Sequence, residues 1–291
     1  MLLNAFTRPG DNVLIQAPVY NTFSVVIKGA GRFVETNNLI NNNGHYEIDF
    51  EDLDRKTKNP RTRVLLVCNP HNPVGRVWTK EELSKMYDIC KKNHTLIISD
   101  EIHGDIVYGE HKHIPFFSLS EEVANHVIVM GSPSKTFNLA CFYSAYVIIH
   151  NQAMREQYNV VYDDYHFDYN YFGIEALITA YNECEDYVEQ QNAYFLKNIN
   201  IVKQFFEDTM PEVKVTDPEG TYLLWIDFRD WHLEQHKLIQ MFEKAGVKLN
   251  SGANYGEPGF GFVRMNIATQ TAVLEEALER MKKAYIEWKQ C

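Results

Sequence analysis

Lys135 stands directly behind the turn Gly131-Ser132-Pro133-Ser134, which follows an apolar run, and apolar sequence continues beyond it. A lysine so placed is badly arranged for simple solvation. A partly desolvated, cationic setting lowers an ammonium's pKa and makes the amine a nucleophile toward carbonyl carbon. Three other segments put polar groups immediately after a β-branched run. Pro18-Val19-Tyr20 offers an aromatic ring, Cys68-Asn69-Pro70-His71-Asn72-Pro73-Val74-Gly75 an amide, and Ser99-Asp100-Glu101-Ile102-His103 a carboxylate and an imidazole. Taken singly, each has a plainer reading: Tyr20 as a half-buried turn residue, the Asn-Pro pairs as turn punctuation, Asp100 as a helix cap, Ser132 and Ser134 as loop hydroxyls bonded to their own backbone.

The elements that must position these groups alternate in type. Val13-Leu14-Ile15, Val64-Leu65-Leu66-Val67, Leu96-Ile97-Ile98 and Val127-Ile128-Val129 read as strands. Thr79-Lys80-Glu81-Glu82 is a capping box that opens a helix with Leu83, Met86 and Cys90 on one face. Strand, helix and strand in that order give a βαβ unit, and the fold class is α/β: a mostly parallel sheet sandwiched by helices. The later half reads differently, with an amphipathic stretch over 185–208, a break at Met210-Pro211, strands at 221–226 and 263–267, a helix over 233–245, and a last helix carrying Leu274, Leu278, Met281 and Tyr285. These patterns predict a large domain over 1–186 and a smaller α+β domain over 187–291. No internal repeat is visible.

Ligands of open parallel sheets collect outside the carboxyl ends of the strands, so the four polar segments converge on one edge. Together they are what pyridoxal phosphate requires of a protein. A lysine bonds to its aldehyde, a carboxylate keeps its pyridine nitrogen protonated so that the ring acts as an electron sink, an aromatic ring stacks on it, an amide holds its phenolic oxygen, and hydroxyls with backbone N–H groups bind its phosphate.

Asn69-Pro70-His71-Asn72-Pro73-Val74-Gly75, then Ser99-Asp100-Glu101-Ile102-His103, then Ser132-Pro133-Ser134-Lys135-Thr136-Phe137-Asn138-Leu139-Ala140, in that order, resemble the fold type I aminotransferase superfamily. Within it, Asp100-Glu101-Ile102-His103 and Ser134-Lys135-Thr136-Phe137 resemble the carbon–sulfur β-lyases called cystathionine β-lyases more than the aspartate or alanine transaminases. The resemblance runs the length of the chain. It implies that Lys135 is the Schiff-base lysine, Asp100 the partner of the pyridine nitrogen, Asn72 the donor to the phenolic oxygen and Tyr20 the stacking ring. His103 takes the position where many relatives place a tyrosine touching the same oxygen, Ser132 and Ser134 contact the phosphate, and Arg264 grips the substrate α-carboxylate. A planar guanidinium suits that bidentate task, and an arginine among Val263, Met265 and Ile267 with no acidic neighbour on its strand wants an anion.

The departures are equally specific. Residues 1–6 followed by Pro9-Gly10 read as the last turn of a helix, whereas relatives begin earlier, with a glycine-containing turn, a phosphate-binding helix and residues that reach the partner subunit's site. The expectation is a chain truncated at its N-terminus. Tyr143 stands where many transaminases carry a basic residue for the phosphate, and Cys141 where the family usually has glycine, either crowding a turn that needs φ > 0 or serving as a small buried hydrophobe. The aromatic, acidic run from Tyr158 to Phe172 is assigned to a dimer contact or the mouth of the site.

Of 291 residues, 39 are acidic and 28 basic, a net charge of −11 that argues against nucleic acid and anionic membranes as partners. The 45% hydrophobic content excludes disorder, and the longest apolar stretch, 139–149, is too short to span a bilayer, which takes about 20 residues. Five scattered cysteines, Cys68, Cys90, Cys141, Cys184 and Cys291, form neither a disulfide frame nor a metal knuckle and fit a reduced cytoplasm. The reaction expected from the resemblance is cleavage of cystathionine or another cysteine S-conjugate to a thiol, pyruvate and ammonia by a homodimer. Transamination on the same scaffold and a truncated chain that holds no cofactor are the alternatives.

Overall fold

The computed structural model describes residues 1–290, so Cys291 lies outside the described residues. Its strands, in chain order, are β1 (Asn12–Ile15), β2 (Phe33–Thr36), β3 (Ile40–Asn42), β4 (His45–Glu47), β5 (Thr62–Cys68), β6 (Leu96–Asp100), β7 (Val127–Gly131), β8 (Tyr146–Ile149), β9 (Lys214–Val215), β10 (Leu223–Asp227), β11 (Asn250–Ser251) and β12 (Phe262–Asn266). The β-branched runs become central strands because both faces are covered: β1 is buried at all four positions, and β5 at every position except Arg63. They lie in a six-stranded sheet of order β2-β1-β5-β6-β7-β8. Its pairings are parallel except that β8 runs antiparallel to β7 at the edge. The mostly parallel α/β sheet read from the sequence is therefore present, with one reversed edge strand.

Helices cover it through one apolar face each. The helix Lys80–Lys92 starts at the Thr79 and Glu82 capping box and buries Leu83, Met86, Tyr87 and Cys90. A second, antiparallel sheet of order β11-β12-β10-β9 follows, in which Arg264 lies opposite Trp225. The 25-residue helix Glu185–Thr209 lays Phe195, Ile199, Val202 and Phe206 against this sheet at helical spacing. The helix Thr271–Lys289 adds Leu274, Leu278 and Met281 to the same core.

The two sheets share packing. Trp225, Tyr255 and Phe262 of the second region join Leu14, Tyr46 and Leu65 in one cluster. Trp225 stacks on Phe262 with centroids 5.0 Å apart, and its Nε1 donates to Tyr46 Oη at 3.0 Å. Burial pushes the Tyr46 hydroxyl up to about 12, so it stays protonated. No helix among the described residues is long and apolar enough to cross a membrane.

Candidate active site

Because β1, β5, β6 and β7 are consecutive in the sheet, the segments leaving their carboxyl ends are neighbours. Those segments carry Tyr20, Asn72, Asp100 with His103, and Ser132 through Lys135. Asp100 closes β6, and its Oδ1 accepts the Ile102 N–H at 3.2 Å, making a local turn; no helix follows for it to cap. Burial pushes its carboxyl up to about 6; the Ile102 bond opposes this, the Glu101 charge adds to it, and the Lys135 ammonium opposes it. Among the described residues no cation pairs with Asp100 at ion-pair distance. A buried carboxylate in this state is costly unless a cation meets its free oxygen.

His103 is 3% exposed, and burial, with the Lys135 and Arg264 charges, holds its imidazole down to about 3. It is neutral at physiological pH. Its Nδ1 is buried without a partner, and its ring meets Tyr222 edge-on at 5.5 Å.

Arg264 reaches this group from β12. Its Nη1 donates to Asn72 Oδ1 at 3.2 Å and its Nη2 to Asn250 Oδ1 at 3.1 Å, while the guanidinium carbon lies 5.1 Å from the Tyr255 ring centre. Its Nε is buried without a partner, and among the described residues no carboxylate neutralises it. Burial lowers its pKa, and the hydroxyls of Tyr255, Tyr222 and Tyr20 act against that. Tyr20 itself packs edge-on against Phe23 at 5.8 Å. A cavity of about 540 Å³ opens beside Lys135, bounded by Tyr222, Gln191 and Asn266.

Ser132 and Ser134 are knotted into their own turn. Ser132 Oγ donates to Ser144 O at 2.6 Å, lies 2.6 Å from Ser134 Oγ, and accepts Ser134 N–H at 3.1 Å, so it caps the single helical turn Pro133–Thr136 that presents Lys135. Thus Asn72, Asp100, His103, Lys135 and Arg264 share one electrostatic neighbourhood with Tyr20 at its rim, and the two serines bond to their own loop.

Two expectations about the neighbouring turn are corrected. Cys141 is exposed, so it is not a buried small hydrophobe, and it is not the left-handed residue either. The positive φ angles fall at Asn138 (+54°) and Tyr143 (+50°), and the Tyr143 ring stands in solvent. Tyr222, Tyr255 and Asn250, which shape the Arg264 environment, escaped the sequence reading. Tyr255 sits in a short 3-10 turn between glycines, and nothing in its local pattern tells where that turn folds back.

A family model for aminotransferase class I and II matches residues 1–281. Cystathionine beta-lyase PatB of Bacillus subtilis is 37% identical over 286 residues, which span 98% of this chain and 74% of that one. Among solved structures, cystalysin from Treponema denticola, which contains a pyridoxal 5'-phosphate cofactor, superimposes with a TM-score of 0.96 at 38% identity, covering 99% of this chain and 73% of that chain. The PLP-bound C-S lyase of Staphylococcus hominis, in complex with L-cycloserine, gives 0.91 at 31% identity, covering 98% and 74%. A site of this geometry, on this sheet, with these relatives, makes the chain a member of the class I and II aminotransferase family.

Proposed function

We propose that the chain is a pyridoxal phosphate-dependent carbon–sulfur β-lyase acting on cystathionine or related cysteine S-conjugates. The observation that carries this reading is the Asp100 carboxyl, half-buried at the end of β6, left without a cation within ion-pair distance and close enough to Lys135 to feel its charge. The donor chemistry fits the cofactor. Asn72 spends its Oδ1 on Arg264, which leaves its Nδ2 as the free donor for a phenolic oxygen.

When bound, pyridoxal phosphate supplies an electron sink for negative charge at the substrate α-carbon. Lys135 Nζ would hold the cofactor through its aldehyde, and as a free amine it would serve as the general base for the substrate α-proton. Asp100 would hold a proton at the pyridine nitrogen, whose positive charge would favour the ionised carboxylate. His103, a neutral ring, would border the phenolic oxygen without adding charge. Tyr20 would cover the ring face, the Ser132 and Ser134 hydroxyls would meet the phosphate, and Arg264 would clamp the α-carboxylate. Loss of the β-thiolate and hydrolysis of the remaining fragment yield a thiol, pyruvate and ammonia, with one water consumed.

Relatives of this kind support a homodimer. Tyr165, Phe167, Tyr169, Tyr171 and Phe172 are all exposed in the single chain, a concentration of large apolar rings of the kind that marks an interaction surface. We assign it to contact with a second copy. Residues 1–186 and 187–291 serve as cofactor-binding and closing units, and the unpaired thiols of Cys68, Cys90, Cys141 and Cys184 suit the cytoplasm.

The test is product analysis of the purified chain with pyridoxal phosphate and L-cystathionine or S-methylcysteine. Pyruvate and ammonia released without added keto acid support the lyase. Turnover that requires a keto acid, with no thiol freed, assigns a transaminase and overturns the proposal.

A further inference from the structure

Asp105 lies two residues beyond His103, and its carboxylate reaches out of its own loop. Its Oδ2 accepts the Thr136 hydroxyl at 2.7 Å, and Thr136 is the fully buried residue directly after Lys135. The same oxygen accepts from Tyr181 Oη at 3.4 Å, and the Asp105 carbonyl accepts Asn192 Nδ2 at 2.8 Å. One residue therefore ties together the loop after β6, the Lys135 turn, the helix Tyr171–Glu183 and the helix Glu185–Thr209. Phe137, on the far side of Thr136, packs edge-on against Tyr181 at 5.2 Å and face-on against Tyr187 at 6.2 Å. Burial, with the Asp105 charge adding to it, pushes the Tyr181 hydroxyl up, so it remains a donor.

The Lys135 turn needs such an anchor. It is a four-residue helix, Pro133–Thr136, far below the length at which a helix holds its own shape. Ser132 fixes its beginning. Its end is held by the Phe137 N–H bond to Pro133 O and by the Thr136 bond to Asp105.

We propose that Asp105 is a positioning residue for Lys135. Through Thr136 it fixes the end of the turn and hence the direction from which Nζ meets an aldehyde carbon, where the C–N bond forms as the carbonyl oxygen departs as water. This deepens the lyase reading and rests on the role given there to Lys135. The carboxylate works as a hydrogen-bond acceptor in a set place, so an amide of the same shape is expected to replace it.

The experiment compares the parent chain with Asp105→Ala, Thr136→Val, the double variant and Asp105→Asn. Covalent capture of pyridoxal phosphate is timed by borohydride trapping and mapped by peptide mass spectrometry. In the cofactor-free chain, the rate at which an acetylating reagent labels Lys135 gives a second readout, and thermal melts report folding. D105A and T136V are each expected to slow capture roughly tenfold, because errors of an ångström in such alignments cost up to about a hundredfold. The double variant is expected to be no slower than the slower single one, D105N to recover most of the loss, and Lys135 labelling to rise as the turn loosens. Capture and labelling at parent rates in D105A and T136V, or losses that multiply in the double variant, overturn the positioning role while Lys135 stays the modified residue. Capture at a different lysine in the parent chain overturns the lyase reading itself. If D105A fails to fold, the near-isosteric T136V carries the comparison.

Discussion

Asp100→Asn should make the cofactor-free chain more stable and the cofactor-binding chain worse. The Asp100 carboxyl sits near 6 in the folded chain, against 3.8 in its ordinary state, chiefly because it is buried. A carboxyl raised in this way contributes fully below about pH 3.8, and its contribution is lost as pH climbs through about 6. Above that, keeping it ionised and buried costs about 3 kcal/mol, at about 1.4 kcal/mol per tenfold change in ionisation constant. Asparagine presents a neutral group of the same shape, so at pH 8 the variant should gain up to about 3 kcal/mol. For a chain of this size that is a rise of several degrees in Tm, at roughly 2–4 °C per kcal/mol. The gain should fall below about 1 kcal/mol by pH 4 and vanish below about pH 3, where the parent carboxyl is protonated in both states. The assay is thermal unfolding of parent and variant without cofactor at pH 4, 6 and 8, repeated with excess pyridoxal phosphate. The cofactor should raise the parent Tm by mass action and raise that of D100N much less. A variant no more stable than the parent at pH 8, or a gain independent of pH, would refute the reasoning.

Arg264→Lys removes the forked donor set that now spans Asn72 and Asn250; KM for an amino-acid substrate should rise by roughly tenfold to a hundredfold, the equivalent of about 1.5–3 kcal/mol for a charged hydrogen bond, and steady-state kinetics with an unchanged KM would count against its role. His103, held near 3 by burial, should show no imidazole protonation by NMR above about pH 5, and its burial should weaken the fold as pH falls below 6.5. Gly131→Ala places a Cβ 2.3 Å from the Tyr146 ring across the β7–β8 pair, so the melt should reveal a loss of about 1–3 kcal/mol that Tyr146→Ala relieves. Thr79→Ala removes one half of the capping box on Lys80–Lys92 and should lower stability by about 1 kcal/mol in denaturant titration, with no change in cofactor capture.

The central strands were legible because two-sided burial leaves near-continuous β-branched runs, and the large-sheet site residues were legible because they lie in the segments that leave those runs, whereas Arg264 stood out as a cation inside an apolar strand. The edges were not. β2 is largely exposed or half-buried, and both β9 and β11 are two residues long, so none of these carries a run of its own; β8 does carry one, Tyr146-Val147-Ile148-Ile149, but its place as a reversed edge strand is not written in that run. The β3–β4 hairpin did leave a signal: Asn43 and Gly44 take positive φ of 53° and 97°, the preference of an Asn-Gly turn, and the sequence reading passed over it. The helices Gln152–Asp164 and Tyr171–Glu183 were hidden for another reason. The first buries no residue in the single chain and the second only Gly173 and Ala180, so their aromatic faces showed no one-sided pattern to read. Within the site, the sequence could name Arg264 and Asn72 but not the bond between them, which joins residues 192 apart through the packing of two sheets.

The central claim, that Lys135 holds pyridoxal phosphate in this chain, is tested most directly by visible absorbance after equilibration with the cofactor and removal of the excess, beside Lys135→Ala. A retained cofactor band that the substitution abolishes is the outcome expected. No band in the parent chain, or one that survives in Lys135→Ala, would contradict it.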